Sequence, residues 1–187
     1  DKTPAPPPVP EDTLSAGWTK KTISPGSTVS DVYFTNNNTG FAVSSSSIFK
    51  TTNGGNDWQK IYQTFSPLVN IGMSNDNHAV FVDNNNNKIF ATKNGGLSFD
   101  STRLTDSNIE DVYCVNSNVA YAIGQNLWKS GDGGITWSKV FTFSSSQNYK
   151  SLQFINEETG WVINSNGLFK TIDSGFSWEE VNTAGSF

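Results

Sequence analysis

Asp106, Glu110 and Asp111 make the densest set of acidic side chains in the sequence. A glycosidase or lyase needs two carboxylates about 5 to 10 Å apart, one giving a proton while the other takes one or attacks. A loop with three acids offers such a pair, although a solvated acidic loop is its plainer meaning. A second set is spread along the chain: Asp31, Asn70, Asp111 and Ser151 open equivalent strand-like runs. Brought together, they would offer two carboxylates and two neutral oxygens, the hard donors that suit a cation. Hydrogen bonding to nearby backbone uses the same atoms, and no metal is assigned. His78, in Asn75-Asp76-Asn77-His78, reads as an exposed turn histidine. One cysteine, Cys114, and one histidine exclude an intrachain disulfide and a four-ligand Cys/His zinc site. Cys114 reads as a small apolar residue buried in a strand. No phosphate-binding glycine loop is present, and no cofactor is implied.

A repeat must position these groups. The stretch Phe49-Lys-Thr-Thr-Asn-Gly-Gly-Asn-Asp-Trp58 returns three times. Each copy has a hydroxyl residue (Thr51, Thr92, Ser130, Thr171) and, two places on, an amide or acid (Asn53, Asn94, Asp132, Asp173). A glycine follows two places later (Gly55, Gly96, Gly134, Gly175), and an aromatic closes the copy (Trp58, Phe99, Trp137, Trp178). The steps of 41, 38 and 41 residues fall in the range of roughly 20 to 50 that marks solenoids, propellers and arrays. The Asn or Asp oxygen is expected to accept from amides two or three residues on, and the glycine to take left-handed backbone. The aromatic would anchor the next strand against a neighbouring blade. These residues read as turn locks, not as chemistry.

Between copies lie further strand-like runs in fixed order, beginning with 31–35, 70–74, 111–115 and 151–155. The runs at 40–43, 79–82, 120–123 and 160–163 come next. All are short, rich in β-branched and aromatic residues, and bounded by Asn, Ser, Gly or Asp. Four strands per unit, joined as consecutive hairpins, predict an all-β fold: a small β-propeller of about four four-stranded antiparallel blades, with the repeated turns between third and fourth strands. The expected blades are 22–61, 62–102, 103–140 and 141–182, within one domain at 17–187. Gly17-Trp18-Thr19-Lys20-Lys21 resembles a fourth strand with no earlier blade to finish, so it is expected to add to blade four or to pair with a second chain. A closed four-bladed monomer is favoured because sheets avoid bare edges, with a two-chain ring as the alternative.

The segments 51–58, 130–137 and 171–178, with 92–99 as a weaker copy, resemble the Asp-box, or bacterial neuraminidase repeat. The fuller blade is similar to repeats of the photosystem II stability and assembly factor type. Sialidase activity is not implied, because those enzymes bind the substrate carboxylate with three arginines and this chain holds only Arg103. The assembly-factor resemblance implies the fold and a protein-interaction theme. The arginine-rich face of that family has no counterpart here.

In propellers the loops from strand four to the next strand one, and from strand two to strand three, share the face opposite the repeated turns. This face carries the candidate ligand residues Tyr62, Phe65, Asp106, Glu110, Phe143 and Tyr149. Asp31, Asn70, Asp111 and Ser151 mark its expected channel mouth. A net charge of −5 and no Lys/Arg cluster argue against nucleic acid and anionic lipid as partners. The proline-rich run 1–16 is expected to be a disordered tether. It resembles the spacer after the lipidated cysteine of bacterial lipoproteins, which implies export to the periplasm or cell surface on a lipid anchor. The expected function is therefore a non-enzymatic, exported module that binds a protein or glycan through its loops. A carbohydrate enzyme using the 105–111 loop is the alternative, and a purely structural repeat the third reading.

Overall fold

The computed structural model describes residues 21–23, 28–105, 108–143 and 149–181. The proline-rich tether, the strand expected near Trp18 and Asp106 lie outside the described residues. Blade one is β1 (Val29–Phe34), β2 (Gly40–Ser44), β3 (Ser47–Thr51) and β4 (Gln59–Gln63). Blade two is β5 (Asn70–Asn75), β6 (His78–Asp83), β7 (Lys88–Thr92) and β8 (Asp100–Arg103). Blade three is β9 (Asp111–Cys114), β10 (Ala120–Ile123), β11 (Asn126–Ser130) and β12 (Ser138–Thr142). Blade four is β13 (Tyr149–Phe154), β14 (Gly160–Asn164), β15 (Gly167–Thr171) and β16 (Glu179–Glu180). Each blade is an antiparallel sheet with its strands in sequence order, so the all-β, four-blade propeller architecture holds.

The first strands line the inner edge, where β1 meets β5, β5 meets β9 and β9 meets β13. The second strands are the most enclosed, and β2, β6 and β10 are buried along their whole length. A strand buried on both faces needs apolar residues at consecutive positions, as in Ala79-Val80-Phe81-Val82. Gly72 keeps the inner edge tight: a Cβ there would lie 3.1 Å from the Val112 carbonyl oxygen of the next blade.

Three apolar cores lie in the joints between successive blades. Phe41, Val43 and Ile48 pack on Ile71, Met73 and Phe81 in the first. Val80, Val82 and Ile89 pack on Val112, Cys114 and Trp128 in the second. Tyr121, Ile123 and Leu127 pack on Leu152, Phe154 and Val162 in the third. Cys114 is buried there as expected, and burial pushes its thiol pKa far up. Among the described strands none of blade four touches any of blade one. Among the described strands, joints form only between blades consecutive in sequence, so these blades form an open arc in place of the favoured closed ring.

Candidate functional site

One rim of the arc is built from the repeated turns. In each, the hydroxyl oxygen of Thr51, Thr92, Ser130 or Thr171 accepts the N–H of Gly55, Gly96, Gly134 or Gly175 at 2.8 to 2.9 Å. The Oδ1 of Asn53, Asn94, Asp132 or Asp173 accepts the amide four residues on, at 2.9 to 3.0 Å. The sequence reading expected two or three residues. The reach is longer because the hydroxyl already holds the intervening glycine amide; Asp132 also takes the amide three on, from Ile135. The four glycines have φ between 81° and 89°, where a Cβ would crowd the backbone. The indole N–H of Trp58, Trp137 and Trp178 donates to that glycine's carbonyl.

The fourth side position of each turn matches the chemistry of the second. Asn53 and Asn94 donate Nδ2–H to the Asp57 carboxylate and the Ser98 hydroxyl. Asp132 and Asp173, which can only accept when ionised, face the donating hydroxyls of Thr136 and Ser177. The Ser177 hydroxyl and amide hold Asp173 below the usual carboxylate range. At Asp132, burial opposes the bonds from Thr136 and Ser130, but the bonds prevail and its pKa is lowered.

A second repeated lock went unread in the sequence. Asn36, Asn75, Asn116 and Asn156 cap the first hairpin of each blade, each Oδ1 accepting the amides two and three residues on. An Asn at steps of about 40 residues was the available signal. The two locks touch within each blade, as Gly54 N–H donates to Asn38, Gly95 to Asn77, Gly133 to Asn118 and Ser174 to Glu158.

His78 belongs to this rim but is buried, correcting the exposed-turn expectation. Its Nε2 lies 3.0 Å from the Gly133 carbonyl oxygen of blade three and its Nδ1 2.8 Å from the Ser74 hydroxyl. A carbonyl only accepts, so Nε2 carries the proton. Burial lowers the pKa of the ring. The histidine therefore ties two blades together and offers no free base.

Asp31, Asn70, Asp111 and Ser151 form a row on the inner edge and join blade to blade. Asp31 Oδ2 accepts the Ile71 amide at 2.9 Å. Asp111 accepts the Leu152 amide at 2.9 Å and the Ser151 hydroxyl at 2.8 Å through Oδ2, and its own neighbour's amide through Oδ1. Burial raises the Asp111 pKa, and these bonds offset part of the rise. Among the described residues no cluster of three or more His, Cys, Asp or Glu could hold a metal ion.

The opposite face carries the loops. Thr64 N–H donates to Ser46, Leu104 to Asn87 and Phe143 to Gln125, so the strand-four exits of blades one, two and three are pinned to the second hairpins of their own blades. Three expected ligand residues turn inward instead. Phe143 and Tyr149 are buried with ring centroids 3.9 Å apart in the joint of blades three and four. Tyr62 leans on Phe99, at 4.6 Å, in the first joint. Each sits next to a joint core, where an aromatic gains more by burial than in a loop. Glu110 stays at the surface and meets Lys150 at 3.3 Å.

Phe65 is fully exposed, and the loop that carries it is held on both sides. Thr64 Oγ1 donates to the Ser66 carbonyl at 2.8 Å, Ser66 Oγ donates to the buried Asp83 of blade two, and Leu68 N–H returns to Ser44.

No protein-family model matches the chain, and no curated protein does. Solved structures do match. YCF48 bound to D1 peptide aligns with a TM-score of 0.68 at 15% identity, over 88% of this chain and 57% of that one. The virginiamycin B lyase of Staphylococcus aureus aligns at 0.68 and 13%, over 86% and 58%. An ancestral GH74 enzyme aligns at 0.65 and 19%, over 82% and 25%. At these identities the likeness is one of fold. The chain spans from a quarter to just over half of the length of these structures.

Proposed function

We propose that the chain is a non-enzymatic binding and assembly module that takes a protein partner on its loop face, with Phe65 as the anchor. The observation that carries this reading is the fully exposed Phe65 ring on a loop hydrogen-bonded to two blades. An aromatic displayed on a rigid loop gives up apolar area without a large loss of conformational freedom, the property of an interface anchor. The two described carboxylates of the enzymatic alternative are occupied otherwise, Asp111 by two amides and a hydroxyl and Glu110 by Lys150.

The four turns, read as Asp-boxes of the assembly-factor type, then belong to the scaffold, and their hydrogen bonds support that assignment. With the export expected from the proline-rich 1–16 run, the partner is a protein of the bacterial envelope. A photocrosslinker at position 65 in native envelope extract tests the reading. One discrete adduct is expected, and in a separate affinity capture the Phe65→Asp chain should recover about tenfold less of that protein, equivalent to about 1.4 kcal/mol. Turnover of a glycan substrate, abolished by Glu110→Gln, would overturn it.

A further inference from the structure

Strand register in blade two gathers two cations beside the Phe65 loop. Asp83 pairs with Lys88 across β6 and β7, and Lys88 pairs with Arg103 across β7 and β8, so the three form one row at the loop end of the blade. Residues directly opposite each other on a sheet share a face. The next row on that face, Phe81, Phe90 and Ser101, shows where it looks, since Phe81 and Phe90 belong to the core between blades one and two. The charged row therefore faces blade one, whose last strand runs out into Thr64 and Phe65. Two contacts tie it to that loop. Ser66, next to Phe65, donates to the Asp83 carboxylate. The Lys88 ammonium lies 4.7 Å from the centre of the Phe90 ring, and that ring lies 5.7 Å from Tyr62, three residues before Phe65.

Charge in the row is not balanced. Asp83 is buried, and its oxygens accept the Ser66 hydroxyl and both the amide and the side chain of Asn86. Among the described residues the one ion pair joins Glu110 and Lys150, so no acid there neutralises Lys88 or Arg103. Like charges directly opposite on a sheet repel. The chain as a whole has 17 acids against 12 Lys and Arg, so its composition does not force two cations to face each other. Beside a fully exposed aromatic, their repulsion is a cost in the free chain that a carboxylate from outside removes.

We propose that Phe65, Lys88 and Arg103 form one recognition site for an acidic peptide segment of the partner, with an apolar side chain packed on the Phe65 ring and carboxylates beside it meeting the two cations. This deepens the binding function proposed above and rests on it. The planar guanidinium of Arg103 offers a carboxylate two parallel donors, and Lys88 offers a compact point charge. A bare inorganic anion would satisfy the cations and leave Phe65 unused. An anionic bilayer fits less well than a peptide, because its broad surface would confront a chain of net charge −5, whereas a short segment meets this corner alone.

Selection from a random peptide display library on the immobilised whole chain tests the site. Peptides that win on the wild-type chain are expected to carry Asp or Glu beside an apolar residue. On the Lys88→Gln, Arg103→Gln double variant the acids should drop out of the winning sequences, and on Phe65→Ala the apolar residue should. A wild-type selection without enrichment of acids overturns the charged half of the site and leaves Phe65 as an anchor. Winners unchanged on Phe65→Ala overturn the anchor, and with it the joint site. For one winning peptide, removing either cation should weaken binding about threefold, the scale of an exposed ion pair. Arg103 is exposed, so Arg103→Gln should keep the urea midpoint at or above that of wild type; a lower midpoint makes the arginine structural and counts against the proposal. Binding to phosphatidylglycerol vesicles that the double variant abolishes, with no peptide selected, overturns the peptide in favour of a membrane.

Discussion

At the rim of repeated turns the four blades put the same atoms in the same places, whereas on the loop face length and side chains vary from blade to blade. Hydroxyl, amide or acid, glycine and aromatic recur at the rim with hydrogen bonds that vary by about a tenth of an ångström. On the other face the second hairpins run from two residues, Ser45 and Ser46, to four, 84–87. Among the described residues, the exit that follows β4 raises the bare Phe65. A rim made of local bonds tolerates little change because each bond satisfies a backbone group that would otherwise be stranded. A loop pinned at its base can vary at its tip. The division puts the repeated locks on one side of the arc and, on the function proposed above, recognition on the other.

The strongest way to break that division is at the rim glycines. Gly133 has φ +79°, and a Cβ there would meet the Ser117 carbonyl oxygen at 2.7 Å. Gly133→Ala should therefore cost about 2–4 kcal/mol, from left-handed backbone and overpacking together. Gly131 has nothing within 4 Å of its Cβ position, so Gly131→Ala should fall within about 0.5 kcal/mol of wild type. Urea unfolding of the pair checks both, and equal effects would dissolve the argument. Next in size is Ser130→Ala, which strands the Gly134 amide and should cost about 1–3 kcal/mol in the same assay.

His78 gives a smaller, pH-dependent effect. Its folded pKa lies below its ordinary 6.5, so the unfolded chain takes up the proton first. The histidine's contribution is thus complete above pH 6.5 and is lost as pH falls toward the lowered value. His78→Gln should flatten the stability profile in that window, read from melting temperature against pH. Asp132 and Asp173 act by the same sign but only below pH 3.8, where their lowered pKa values lie. The smallest effect is expected on the loop face. Phe65→Ala should leave stability within about 0.5 kcal/mol of wild type while weakening partner recovery, which sharpens the contrast if both readings hold.

Much of the rim was legible in the sequence because each lock closes within eight residues, so that Thr51, Asn53, Gly55 and Trp58 declare themselves by spacing. The Asn36 series is equally local but was overlooked, since its neighbours vary from blade to blade and dilute the repeat. The burial of His78 was hidden because the carbonyl that holds it, at Gly133, lies 55 residues on. Phe143 and Tyr149 sit at strand ends, where loop and joint cannot be told apart without the blade they face. The open arc was not legible either. Val32 and Phe34 are the same kinds of residue as Ile71 and Met73, and only the absence of a neighbouring blade among the described strands makes them different.

The buried Cys114 gives the molecule a built-in clock. With its thiol enclosed in the joint of blades two and three and its pKa driven up by burial, an alkylating reagent must wait for that joint to part, because only an exposed thiolate reacts. Being the single thiol in the chain, it reports on that joint alone among the three. Its labelling rate sums opening of the joint and global unfolding, so the excess over a separately measured unfolding rate belongs to the middle of the arc.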